Sequence, residues 1–180
     1  MKKKYSEVRV YFQDESRFGL ITRNGRSLTA AKVKPICPFQ QVFKSTYLYG
    51  AFSPTGGDNF ILEFSKCDTE CFQVFLDSFA RRKPDELAVL VLDNAAFHKA
   101  DRLIIPPNIR LVFLPSYSPE LNPAEKVWAK FKRAFNNKLF ESMDSMRAFI
   151  DRLVISLNPD EIISICKCNY LKNNYPCKIR

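Results

Sequence analysis

The run LAVLVL occupies residues 87–92 and is followed directly by Asp93 and Asn94. A short, unbroken apolar run bounded by polar residues predicts a central strand that is covered on both faces. Strands of this kind belong to α/β folds, in which helices pack on both sides of a sheet. Ligands collect outside the carboxyl ends of such strands, so Asp93 is the first candidate functional residue.

The stretches before this run predict three further strands and a helix. EVRVYFQ, residues 7–13, alternates apolar and polar residues, which predicts a half-buried strand that ends at Asp14. Residues 47–52 and 59–64 predict two more strands, joined by a turn rich in Gly and Pro. Phenylalanines then recur at helical spacing over residues 68–83, which predicts a helix packed on the sheet.

Two connecting segments carry weaker signals. Residues 19–44 are rich in basic and turn-forming side chains, and Asn24-Gly25 predicts a hairpin turn between short strands there. After Asn94 a short helix is expected, followed by a strand over residues 109–114.

The longest predicted helix begins near residue 123. Asn122 is predicted to be its N-cap and Pro123 its first residue, with Glu125 three positions after the cap. Its buried stripe is predicted to be Trp128, Phe131, Phe135 and Leu139. A further amphipathic helix is predicted over residues 143–157.

The composition limits the class of protein. The chain has 180 residues, with 28 Lys or Arg against 19 Asp or Glu and a formal net charge of +9. This length is typical of one domain, and 46% hydrophobic residues suffice for a packed core. The excess of positive charge favours a polyanionic partner. Neither GxGxxG nor GxxxxGK occurs, which excludes the two common glycine-built phosphate sites.

The metal-binding residue types are unevenly represented. His98 is the single histidine, which excludes sites that need two or three imidazoles. A catalytic metal must therefore be bound mainly by carboxylates, which favours Mg²⁺ or Mn²⁺. The six cysteines form no CxxC pair and are predicted to be reduced, without a zinc site. Because neither a signal peptide nor a membrane-spanning run is recognised, we expect a cytoplasmic protein without a membrane partner.

Three acidic residues occupy positions suited to binding such a metal. Asp14 and Asp93 each follow a predicted strand, and Glu125 lies in the first turn of the long helix. If the two strands are neighbours, their carboxylates lie close together, repel each other and require a cation. Two divalent ions held there would activate an attacking oxygen and stabilise a leaving one, as in phosphoryl transfer.

Each acid also has a purely structural interpretation. An Asp after a strand is commonly a turn or helix cap, and Glu125 could complete a capping box with Asn122. Glu120 competes with Glu125 for the third position. Glu15 competes with Asp14, although strand alternation directs Glu15 to the opposite face.

Three local segments resemble the signature segments of mariner-type DDE transposases, specifically their bacterial insertion-sequence branch. They are QDES at residues 13–16, LDNAAFH at 92–98 and LPSYSPELNPAEKVW at 114–128. The third segment is the most specific, because a fifteen-residue match with fixed Ser-Pro, Asn-Pro, Glu and Trp rarely occurs by chance. The resemblance covers roughly residues 7–140.

This resemblance implies a ribonuclease-H-like fold, with a mixed β-sheet flanked by α-helices. It further implies that Asp14, Asp93 and Glu125 form a catalytic, metal-binding triad for two Mg²⁺ or Mn²⁺ ions. The implied activity is hydrolysis at transposon ends followed by strand transfer into target DNA. The active complex would be a homodimer, working on the nucleoid of a prokaryotic cell. Family members carry helix-turn-helix modules before this core, so we expect that module to be missing or separate.

Several residues are assigned lesser roles. A basic surface beside the acids is predicted to contact DNA phosphates, through Lys126, Lys130, Lys132 and Arg133. Each of these could instead be part of a solvated face. His98 is an auxiliary candidate near the scissile phosphate, or a polar residue on a short helix.

Two other functions and one domain boundary complete the expectations. The chain could be a ribonuclease-H-like nuclease without strand transfer, or a catalytically inactive, basic DNA-binding remnant. The catalytic domain is expected over residues 1–158, with a C-terminal tail over 159–180 packed on it.

Overall fold

A five-stranded mixed sheet forms the centre of the structure, a computed structural model that describes residues 5–26, 28–116 and 118–168. The strands are β1 (Glu7–Gly19), β2 (Ser45–Phe52), β3 (Asn59–Phe64), β4 (Glu86–Leu92) and β5 (Ile109–Phe113). Their order is β3-β2-β1-β4-β5. β1 pairs antiparallel with β2 and parallel with β4, so β1 is the central strand.

Helices cover both faces of the sheet. They are α1 (Thr69–Arg82), α2 (Ala124–Ala134), α3 (Met143–Ser156) and α4 (Pro159–Ile165). α1 packs on one face over a core that contains Tyr11 and Leu90, whereas α2, α3 and α4 pack on the other over Phe12 and Phe52. The mixed sheet between two helical layers is the architecture that the sequence predicted.

Strand β4 differs from its predicted environment in one respect. Its burial alternates along the strand, with Ala88, Leu90 and Leu92 buried under α1. The other face of β4 is only half-buried, although Val91 on it packs against the cluster around Trp128. The prediction of complete cover on both faces is therefore wrong for this strand.

Strand β1 continues past its predicted end. Its parallel pairing with β4 stops at Phe12 and Val91, but its antiparallel pairing with β2 runs on to Gly19 and Ser45. Asp14 therefore lies within the strand, not after it. It nevertheless lies beyond the last residue that β4 pairs, where the sheet opens on that side.

The predicted hairpin at Asn24-Gly25 does not form. Residues 20–44, outside Ser27, contain no strand, only an isolated bridge between Arg23 and Asn136. The Gly25 amide donates to Asn137 Oδ1 at 2.9 Å, so this segment is joined to the chain that follows α2. A partner 112 residues away replaces the cross-strand partner that a hairpin would supply.

Helix α2 begins at Ala124, one residue later than predicted. Pro123 is the N-cap and already has helical angles, with φ at −66°. The predicted stripe is buried at Trp128, Phe131 and Phe135, but Leu139 lies beyond the helix and is 49% exposed. α2 ends at Ala134 because the chain then turns at Asn137, which has a positive φ.

The C-terminal segment joins the same core as far as it is described. Ile162 on α4 and Cys166 after it are fully buried in the cluster around Trp128. The rest of the predicted tail, residues 169–180 with Cys177, lies outside the described residues, and the boundary at residue 158 stays a prediction. No helix in the described ranges is both long and apolar enough to cross a membrane.

Candidate active site

An open cavity of about 420 Å³ lies at the carboxyl end of β4. Asp14, Asp93 and Glu125, the three acids singled out in the sequence, all line it. The opposite wall is the loop that follows β5, with Ser116 and Ser118. The side-chain amide of Asn94 donates to the Leu114 carbonyl, and this hydrogen bond stabilises the start of that loop. Three elements far apart in sequence therefore contribute an acid to one cavity.

The register of the sheet places the two aspartates side by side. Phe12 on β1 is opposite Val91 on the parallel strand β4. Asp14 and Asp93 each follow that pair by two residues, so they hold equivalent positions on neighbouring segments of the chain. Asp14 shares the sheet face of Phe12, which is the face that α2 covers.

Glu125 reaches the cavity through the start of α2. The side chain of Asn122 donates to the Gln13 carbonyl at 2.9 Å and accepts from the Ala124 amide at 3.1 Å. This buried pair of hydrogen bonds joins the start of α2 to β1, next to Asp14. The Asn122 amide donates to the Pro119 carbonyl at 2.9 Å, so it does not need Glu125 as a capping-box acceptor.

Asp14 is surrounded by other acids and is the most buried of the three. Its Oδ2 atom is buried and has no hydrogen-bond partner. Burial, and then the charges of Glu125, Glu15 and Asp93, raise the pKa of Asp14 to about 8. A buried, unpartnered carboxylate oxygen beside other acids is suited to a hard divalent cation, which prefers oxygen ligands. The donor set therefore fits Mg²⁺ or Mn²⁺.

The acids share a cavity without forming a closed ligand cluster. Across residues 5–26, 28–116 and 118–168, no group of three or more His, Cys, Asp or Glu side chains is spaced to hold a metal ion. Asp93 directs Oδ1 toward the Ala95 amide, 3.0 Å away, and its side chain is 57% exposed. Glu125 is exposed on α2. Glu125 can therefore adjust on binding, whereas Asp93 is held through Oδ1.

The two rival acids lie elsewhere. Glu120 is exposed on the 3₁₀ turn Pro119–Leu121 and does not line the cavity. Glu15 lies on the other face of β1, as strand alternation predicts, and its carboxylate is 3.1 Å from His98 Nε2.

His98 lies behind Asp93 rather than in the cavity. It belongs to the 3₁₀ turn Ala96–Lys99, is 2% exposed, and places Nδ1 3.0 Å from Asp93 Oδ1. Burial lowers its pKa, but contacts with Asp93 and Glu15 outweigh this and raise the pKa to about 9. The imidazolium in turn holds the pKa of Asp93 below its usual value.

The four basic residues predicted to contact DNA are in different environments. Lys126 donates to the Lys167 carbonyl at 3.2 Å, and Lys130 forms an ion pair with Glu161 of α4. Among the described residues, Lys132 and Arg133 form no ion pair. α4 therefore occupies part of the basic stripe of α2, and the stripe stays open toward its C-terminal end.

Sequence reasoning missed two features of the site. It assigned Asn122 only a helix cap, although the same side chain also bonds to β1. It discarded Glu15 without linking it to His98. The single His and an acid on the alternate face of β1 were visible signals, but their meeting depends on how the 3₁₀ turn folds back.

Comparisons with known proteins agree with this architecture. The family described as DDE superfamily endonuclease matches residues 9–147. The uncharacterized protein y4pE/y4sA of Sinorhizobium fredii (strain NBRC 101917 / NGR234) is 42% identical over 103 residues, which are 56% of this chain and 76% of that protein.

Solved structures with the same fold include two complexes of the Mos1 transposase. The Mos1 strand transfer complex gives a TM-score of 0.66 at 17% identity, and the Mos1 mariner paired end complex with Mn gives 0.67 at 18%. Each match covers 88% of this chain but only 50% and 51% of the Mos1 chains, respectively. The chain thus spans about half the length of those proteins.

The likeness confirms the predicted ribonuclease-H-like fold, a mixed sheet flanked by helices. The family match extends over most of the chain and includes all three acids of the cavity. The chain therefore belongs to the DDE superfamily endonuclease family.

Proposed function

We propose that this chain is the catalytic domain of a mariner-type transposase of the bacterial insertion-sequence branch. It cleaves DNA in a metal-dependent reaction and transfers the freed strand into target DNA. The observation that carries the proposal is the single cavity lined by Asp14, Asp93 and Glu125, in which Asp14 Oδ2 is buried without a partner. Membership of the DDE endonuclease family supports it.

The three acids serve as ligands for two Mg²⁺ or Mn²⁺ ions. Asp14 supplies a buried oxygen fixed by β1, whereas Asp93 and Glu125 supply exposed oxygens at the rim. The ions, when bound, provide Lewis-acid stabilisation of the charge that develops on the attacking and leaving oxygens. Ser116 and Ser118 line the same cavity as the acids and would lie beside a bound phosphodiester.

The basic surface on α2 positions the DNA backbone beside this cavity. Lys132 and Arg133 form no ion pair among the described residues and are the stronger phosphate contacts. Lys126 and Lys130 contribute less, because a backbone carbonyl and Glu161 already accept from them. Such contacts fix the position of DNA without reading its sequence.

A nicking assay on supercoiled DNA tests the proposed chemistry. The wild-type chain is expected to nick with Mg²⁺ or Mn²⁺ and to be inactive with EDTA. Asp93→Asn keeps the side-chain shape but removes the charge, so we expect a loss of about 100-fold or more. Glu125→Gln should be similarly impaired, whereas Glu120→Gln should keep wild-type activity because Glu120 lies outside the cavity.

Asp101→Asn is the matched control, since Asp101 is an exposed aspartate on the turn that follows His98. Wild-type nicking by Asp93→Asn would overturn the proposal. Analysis of products from transposon-end oligonucleotides then separates two enzymes: joined molecules indicate strand transfer, and nicks alone indicate a hydrolytic nuclease. DNA binding that neither needs nor responds to metal, without nicking, indicates an inactive remnant.

The cellular setting is part of the same proposal. The catalytic domain is proposed to span residues 1–158 and to be followed by a C-terminal tail over 159–180. The active complex is a homodimer on the nucleoid in the cytoplasm of a prokaryotic cell, and a separate helix-turn-helix module recognises the transposon ends. The net charge of +9 supports a DNA partner.

A further inference from the structure

A chain of polar side chains runs behind Asp93, outside the cavity, and the proposed function gives it no role. Gln13 Nε2 donates to Glu15 Oε1 at 2.7 Å, and the same oxygen lies 3.1 Å from His98 Nε2. On the other side of the ring, His98 Nδ1 lies 3.0 Å from Asp93 Oδ1. We call Glu15 and His98 together the imidazole brace.

The brace is enclosed and cannot easily rearrange. The side chains of His98 and Glu15 are 1% and 10% exposed. The imidazole ring is packed between Phe72 and Phe97, whose ring centres are 4.4 and 4.1 Å from its own. Both ring nitrogens face carboxylate oxygens, and this fixes which edge of the ring meets Asp93.

The brace determines which oxygen of Asp93 is available. Asp93 Oδ1 accepts from the Ala95 amide at 3.0 Å and also forms the ion pair with His98. The N–H of Nδ1 is not aligned for a straight hydrogen bond, so the contact is mainly electrostatic. With Oδ1 held by Ala95 and His98, Oδ2 is the Asp93 oxygen left for the cavity, which Asp14 also lines.

We propose that His98, held by Glu15, is a positioning residue that fixes the Asp93 carboxylate for divalent-cation binding. This inference rests on the proposed function, because it takes Asp93 to be a cation ligand. When a residue that orients a metal-ligating side chain is substituted, the metal affinity or the activity typically falls by about 10- to 100-fold. The competing interpretation is structural: His98 would only tie the 3₁₀ turn to β1.

Two substitutions of His98 separate these interpretations. His98→Asn places an amide N–H near the position of Nδ1, so it keeps a donor to Asp93 and loses the contact with Glu15. His98→Gln places its amide near the position of Nε2 and does the reverse. Each variant loses one of the two contacts, so a purely structural role predicts similar effects of both.

Mn²⁺ binding to the full chain is measured without DNA. Electron paramagnetic resonance reports the concentration of the free ion during the titration. We expect His98→Asn to bind within about 3-fold of wild type, and His98→Gln and His98→Leu to bind about 10- to 100-fold more weakly. Urea unfolding of the same variants checks that each is folded at the titration temperature. Glu70→Gln is the matched control, because Glu70 forms only an exposed pair with Arg102.

The outcomes distinguish the two proposals. If the wild-type chain binds Mn²⁺ and the His98→Asn and His98→Gln variants bind it with equal affinity, the positioning role is overturned. The proposed function then still stands. A wild-type chain that binds no Mn²⁺ overturns both. Weaker binding by His98→Gln than by His98→Asn, at comparable stability, supports the brace.

Discussion

Asn122 connects two of the three acids through one buried side chain. Its amide nitrogen donates to the carbonyl of Gln13, the residue before Asp14, and its oxygen accepts from the amide of Ala124, the first residue of the helix that carries Glu125. The residue is only 4% exposed. Because both bonds are shielded from water, the distance between Asp14 and the start of α2 depends on this one side chain.

Asn122→Asp should therefore impair both stability and activity. The substitution removes the donor to Gln13 and adds a negative charge beside the acids, so we expect a loss of about 1 to 3 kcal/mol in the free energy of unfolding. Metal-dependent nicking should also fall by at least about 10-fold. Urea unfolding and the nicking assay measure the two effects.

Asn108→Asp is the matched control for that variant. Asn108 is also buried, and it donates to the Ala80 carbonyl at 3.0 Å, far from the acid cavity. It should lose similar stability and keep metal-dependent nicking at a temperature where it is folded. Equal nicking by both variants would show that Asn122 only holds the fold together.

The sequence predicts which residues belong to the site better than it predicts which side chains they contact. Asp93 and Glu125 are identifiable because one follows a strand and the other opens a helix, and Asp14 because it follows the alternating part of β1. The contact between Glu15 and His98 is not identifiable, since it joins positions 83 residues apart through the fold of a 3₁₀ turn. Whether these acids bind a metal stays a prediction.

The elements at the opposite end of the sheet are joined by ion pairs. Asp58, in the turn between β2 and β3, contacts Arg9 of β1 and Lys83, the residue that ends α1. Burial raises the pKa of Asp58, but the Lys83 and Arg9 contacts outweigh this effect and leave it lowered. A turn, a strand and a helix end are thus connected through one carboxylate.

This connection predicts acid lability. A carboxyl group with a lowered pKa in the folded chain contributes stability above its unfolded pKa of about 3.9, and this contribution is lost as the pH falls through the folded value. Asp58→Asn should therefore cost about 1 to 3 kcal/mol at pH 7, and the difference from wild type should shrink below about pH 4.

Urea unfolding at pH 7 and pH 3 measures this difference, with Asp101→Asn as a control on an exposed aspartate. A difference between wild type and Asp58→Asn that stays constant between the two pH values would show that the ion pairs do not stabilise the fold.

Helices and strands form as the sequence predicts where one regular stripe of apolar side chains packs on the sheet. α1 forms as predicted, with Asp68 as its N-cap, because its phenylalanine stripe fits one sheet face. The pattern fails at Asn24-Gly25, where the partner of Gly25 is Asn137 at the end of α2. A turn-forming dipeptide predicts a change in chain direction, but it does not predict which distant residue the segment will contact.

Charge is distributed unevenly over the whole molecule. The net charge is +9, yet three acids line one cavity, and Asp58 pairs with basic residues at the other end of the sheet. α4 lies on α2 and neutralises Lys130 through Glu161, while Lys132 and Arg133 stay unpaired among the described residues. The surface that can bind a polyanion is therefore narrower than the basic stripe of α2 suggests.

This distribution gives a prediction for the salt dependence of DNA binding. Each phosphate contact contributes a slope of about −0.9 to the logarithm of the binding constant against the logarithm of the salt concentration. Lys132→Ala and Arg133→Ala should each reduce the magnitude of that slope by about 1. Lys130→Ala is the comparison variant on the same helix and should reduce the slope less, because its ammonium group already pairs with Glu161.

Fluorescence anisotropy on a duplex at several salt concentrations, with Ca²⁺ in place of Mg²⁺ to prevent cleavage, measures these slopes. If Lys130→Ala lowers the slope as much as Arg133→Ala does, α4 must leave α2 when DNA binds, because only then does Lys130 reach a phosphate. Glu161→Gln separates the cases further: it frees the ammonium group of Lys130 without moving α4, so it should steepen the slope only if α4 stays in place.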